Sequence, residues 1–90
     1  MAAEREDFTE YDYYSEAKVL EEKGEEEKAL EAYQKSVDLD PEYAEAWFYK
    51  AKLHHKLGQE KEAIECAKKA LEIEPSWEKH VQKFLPDLTA

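Results

Sequence analysis

Ninety residues and 10.6 kDa fit a single domain with one modest core. Charged residues make up 40% of the chain, against about 25% in an average soluble domain. Thirteen Lys+Arg face 23 Asp+Glu, a net charge of −10, which argues against the basic face that nucleic acid or an anionic membrane requires.

The first residues, 1–9, read as an acidic leader with Glu4, Glu6 and Asp7. Few apolar anchors hold it, so fraying is expected. It lacks the apolar stretch of a secretion signal, and no run approaches the ~20 apolar residues of a membrane span. One cysteine, Cys66, cannot close an internal disulfide. A reducing, cytoplasmic setting is therefore expected.

From Thr9 onward the vocabulary is helical. Ala, Glu, Lys, Leu and Arg together supply 51 of the 90 residues, and no segment alternates as a strand would. The fold class is all-α. Helices are predicted over 9–23, 26–39, 42–57, 60–73 and 76–85. Gly24 and Gly58 mark helix ends that need a left-handed residue. Asp40-Pro41 and Glu74-Pro75 close one helix and open the next. The connections are short, so neighbouring helices pack antiparallel.

The punctuation repeats. Gly24 to Gly58 is 34 residues, as is Pro41 to Pro75. Sliding 10–43 onto 44–77 superposes Ala17 on Ala51, Lys18 on Lys52, Ala29 on Ala63, Glu31 on Glu65 and Lys35 on Lys69. Tyr13 falls on Trp47, Tyr14 on Phe48 and Leu30 on Ile64. A coiled coil would repeat every seven residues, whereas a helix-turn-helix unit of this length stacks into a solenoid.

With an aromatic early in each first helix (Tyr13, Trp47), small residues at the helix crossings (Ala17, Ala51, Ala29, Ala63, Ala70), a turn glycine and a closing proline, the chain resembles the tetratricopeptide repeat (TPR) family. The resemblance implies an α-solenoid of two antiparallel repeats, 10–43 and 44–77, with 78–90 forming a capping helix and tail. Trp77, Val81, Phe84 and Leu85 supply that helix with an apolar face, while Lys79, Gln82 and Lys83 are expected to meet water.

The resemblance further implies that the first helix of each repeat lines a concave groove. The positions pointing there are Tyr11, Tyr14, Lys18, Glu21 and Glu22, then Glu45, Phe48, Lys52, His55 and Lys56, with Lys79 and Gln82 extending the row. The exposed aromatic pair expected at Tyr14 and Phe48, beside Lys18 and Lys52, would suit a protein or peptide partner with an acidic or apolar anchor. A three-repeat carboxylate clamp of Lys, Asn and Arg is excluded, because the chain has two repeats, no Asn and only Arg5.

Chemistry has little footing. There is no Gly-rich phosphate loop and no nucleophile beside a base. His54 and His55 are adjacent and point about 100° apart on a helix, which prevents joint chelation. His54 reads as a packing residue and Cys66 as a small, half-buried one. No cofactor and no metal are expected, and the function expected is non-enzymatic protein binding. The alternative is a structural homodimer, formed through repeat faces or an unfinished Trp77/Phe84 edge. The charge is uneven. Residues 1–43 carry 15 acidic and 5 basic groups, while 44–90 carry 8 of each.

Overall fold

A computed structural model describes residues 7–88. Four long helices, α1 (Glu10–Glu22), α2 (Glu26–Leu39), α3 (Ala44–Lys56) and α4 (Glu60–Ile73), form two stacked antiparallel hairpins. A single 3₁₀ turn, Pro75–Trp77, then leads into α5 (Glu78–Gln82). The long helices fall within two residues of their predicted bounds. The last does not: in place of one helix over 76–85 there is a 3₁₀ turn and five α-helical residues. A segment this short has too few internal hydrogen bonds to stand alone and takes its shape from packing.

Each turn has a local cause. After α1, Gly24 sits at φ +80, its N–H bonds Glu21 O, and the Glu25 N–H reaches Leu20 O at 2.9 Å. After α3, Gly58 at φ +79 repeats the pattern, with the Gln59 N–H on His54 O at 2.8 Å. Both are Schellman closures, in which only glycine takes the left-handed position cheaply. After α2, the Asp40 carboxylate accepts from the Glu42 N–H and fixes the turn that carries Pro41.

The start of α1 departs from the expected fraying. Thr9 and Asp12 form a reciprocal capping box, and the Phe8 ring packs on Tyr13 at 5.0 Å. Those positions, N′ and N4, are the hydrophobic staple. The remainder of the leader, residues 1–6, lies outside the described residues.

Small residues let the helices approach. Ala17, Ala29, Ala51, Ala63, Ala67 and Ala70 have no exposed surface. In the first hairpin Tyr33 fills the space they leave and meets Leu53 of α3. In the second hairpin the equivalent position is Ala67, and its cluster is completed from beyond α4 by Val81 and Leu85. Ser36, fully buried at the α1–α2 crossing, donates to Glu10 O at 2.7 Å. Cys66 is buried rather than half-buried. Burial pushes its thiol pKa up, and the Lys50 amine, 3.4 Å from Sγ, opposes that shift.

Candidate functional site: the aromatic strip

Aromatic rings run along the α1–α3 face in unbroken contact. Tyr11 meets Tyr43 at 5.3 Å, Tyr43 meets Tyr14 at 5.3 Å, and Tyr14 meets Tyr49 at 6.0 Å. Tyr49 touches Phe48 at 5.1 Å, and Phe48 touches Trp77 at 4.7 Å and Phe84 at 5.7 Å. The strip thus spans both hairpins and ends under the C-terminal segment.

Phe48 corrects the sequence reading. It is 5% exposed rather than one half of an exposed pair. Trp77, His80 and Phe84 cover it, so its ring is core and belongs to the floor of the strip. The same packing turns Trp77 and Phe84 inward, which uses up much of the apolar edge proposed for a second copy. Tyr14 is half-buried and Tyr11 remains exposed.

The cations divide into committed and open ones. Lys56 pairs with Glu26 at 2.8 Å, joining α3 to the preceding hairpin, and that bond raises its pKa. The His55 ring stands 2.7 Å from Glu60 and stacks near Phe84. Both side chains thus stand beside a carboxylate of a neighbouring helix. The Lys18 amine lies 3.4 Å from the Tyr49 ring centre, and the Lys52 amine lies 5.6 Å from it. These are cation–π contacts, which leave the amines able to bond an incoming acceptor. Lys52, Lys79 and Lys83 are exposed, and none of the ion pairs among the described residues uses them.

Two adjoining hollows result. One, of about 270 Å³, is lined by Lys18, Glu21, Glu22, Tyr49 and Lys52. The other, of about 360 Å³, is lined by Phe48, Tyr49, Lys52, His80, Lys83 and Phe84. The second has no carboxylate in its wall. In the first, Glu21 already accepts a hydrogen bond from the buried Tyr33 hydroxyl. Sequence reasoning missed Tyr49, His80 and Lys83 as part of one site. Helical spacing gives Tyr49 no distinguishing signal, because it lies a quarter turn from Phe48 and its direction depends on how the hairpins stack.

The phenols report the local field. Burial raises the Tyr33 pKa well above the ordinary tyrosine range, and the hydrogen bond to Glu21 adds to the effect. Tyr14 is raised by burial and then by Glu45. Tyr43 is pushed up to about 12, by burial first and Glu45 next. These three phenols therefore hold their protons in the native state where the unfolded chain, with pKa about 10, releases them. Stability is unaffected below that pH and falls as pH rises past it, by up to about 1.4 kcal/mol per pH unit from Tyr33 alone. Circular dichroism and tyrosinate absorbance followed together from pH 9 to 12 should show part of the six tyrosines ionising only as helix is lost. Ionisation of all six with the helices intact would contradict this.

Stacked antiparallel helix hairpins define a helical-repeat protein of the solenoid class. The family model described as TPR repeat matches residues 17–58, and the one described as Tetratricopeptide repeat matches residues 44–76. No curated protein sequence matches the chain. The chain belongs to the tetratricopeptide repeat family. Such repeats generally mediate protein–protein interaction and are typically non-enzymatic scaffolds. Among the described residues, no helix is long and apolar enough to cross a membrane.

Proposed function

We propose that the protein is an interaction module that docks a partner peptide along the concave strip. Acidic side chains of the partner would meet Lys18, Lys52 and Lys83, and an apolar one would meet Tyr49. The observation that carries this reading is the second hollow: an aromatic floor of Phe48, Tyr49 and Phe84 beside Lys52, Lys83 and His80, with no carboxylate in its wall. In a chain of net charge −10, a local basic pocket is the surface that an acidic partner segment would select. Desolvated aromatic floors supply affinity, and the surrounding charges supply orientation and on-rate.

The test compares two charge-matched double variants in partner capture. Lys52→Glu with Lys83→Glu reverses the pocket. Lys28→Glu with Lys61→Glu makes the same charge change on α2 and α4. All four positions are exposed, so helicity should be retained in both proteins. Capture lost only in the first variant supports the strip, and equal capture by both rejects it.

A further inference from the structure

We propose that the N-terminal edge of the strip, where Tyr11 and Tyr14 pack on Tyr43 just ahead of Glu45 in the first turn of α3, is a second subsite that takes an arginine side chain of the bound segment. This rests on the docking reading above and adds a second chemistry to it. Tyr11 is 60% exposed, yet its ring is held against Tyr43 at an interplanar angle of 69°. Tyr43 in turn leans on Tyr14 at 51°. The chain's own lysines stand over Tyr13, Tyr14, Trp47, Phe48 and Tyr49. Among the described residues, none stands over Tyr11 or Tyr43.

The charge at this edge has the opposite sign to that of the basic pocket. Glu45 lies in the first turn of α3, and its charge, with those of Glu10 and Asp40, raises the pKa of the Tyr43 phenol, while Glu45 also raises that of Tyr14. Tyrosine faces backed by carboxylates attract a cation. A guanidinium suits the place better than an ammonium, because its plane stacks on a ring while its edge bonds a carboxylate. The strip therefore has an anionic, aromatic end and a cationic end.

Spacing then follows from helix geometry. Glu45 and Lys52 are seven residues apart on α3, and Tyr43 and Lys52 nine. At 1.5 Å per residue these separations are about 10 and 13 Å. An extended segment advances about 3.3 Å per residue, so its basic and acidic side chains would be three or four positions apart.

The test uses the full chain labelled with ¹⁵N and the acetylated, amidated pentapeptide Arg-Ser-Leu-Ser-Glu. Amide shifts are expected in two sets, one at Tyr11, Tyr43 and Glu45, the other at Lys52 and Lys83. Gln in place of the peptide's Arg, or Glu45→Gln in the protein, should remove the first set. It should weaken binding about three- to tenfold while leaving the second set in place. If only the second set moves, or if the first moves equally with the Gln peptide, the arginine subsite is wrong and the docking strip stands. If arginine instead shifts Glu25, Glu26 and Glu27 as strongly as Glu45, diffuse charge explains its attraction and the subsite is again wrong. Silence in both sets overturns the subsite and the strip together.

Discussion

Tyr33→Ala should cost about 3–5 kcal/mol, the range for truncating a large, fully buried aromatic. Tyr33 has no exposed surface and packs where the two hairpins join, against Ala17, Ala29, Ala32 and Leu53. The alanines beside it sit on packed helices and are too short to reach into the space left behind. A chain of this size is stable by roughly 5–13 kcal/mol in total, so one substitution removes a large share. Tyr33→Phe keeps the ring and removes only the hydroxyl that donates to Glu21. Its cost should be nearer 1 kcal/mol. Urea unfolding followed by circular dichroism measures both, and a Tyr33→Ala loss below about 1 kcal/mol would show that the site relaxes in a way the packing does not allow.

The second large effect concerns the C-terminal segment. Removing residues 75–90 uncovers Phe48, Ala67 and Ala70, because Trp77, Val81 and Leu85 complete their cluster. A repeat cannot bury its own apolar face alone. The shortened chain should therefore lose cooperative melting and unfold with a lower urea dependence. Val81→Asp tests the same packing without shortening the chain. Val81 is fully buried, and an unpaired carboxylate there should cost about 3 kcal/mol or more. A cooperative, unshifted transition in both proteins would contradict the role given to α5.

The four long helices were legible in the sequence because their ends are written locally. Gly24 and Gly58 specify left-handed closures, and Pro41 and Pro75 specify restarts. The alanine positions predicted the close crossings for the same reason, since their 34-residue recurrence matches the hairpin period. The candidate site was less legible. Phe48 has the helical phase of a groove residue, but whether that phase meets water depends on Trp77 and Phe84, about 30 or more positions later. Lys56 and His55 have the right phase too, yet Glu26 and Glu60 engage them through folding that no spacing rule records. The staple of Phe8 on Tyr13 was written locally and was overlooked, because the acidic residues around Phe8 suggested a solvated leader.

The one-glycine closures of the two hairpins have a consequence for how the chain finds its structure. Each helix meets its main partner across a turn of a few residues, and the longest-range ring contact, Phe48 with Phe84, joins positions 36 apart. Nothing described needs the two ends of the chain to meet. Little loop entropy has to be lost before native contacts are rewarded, so folding should be fast for a domain of this length. The order of events is also constrained, since each hairpin can close through its own turn before the two stack.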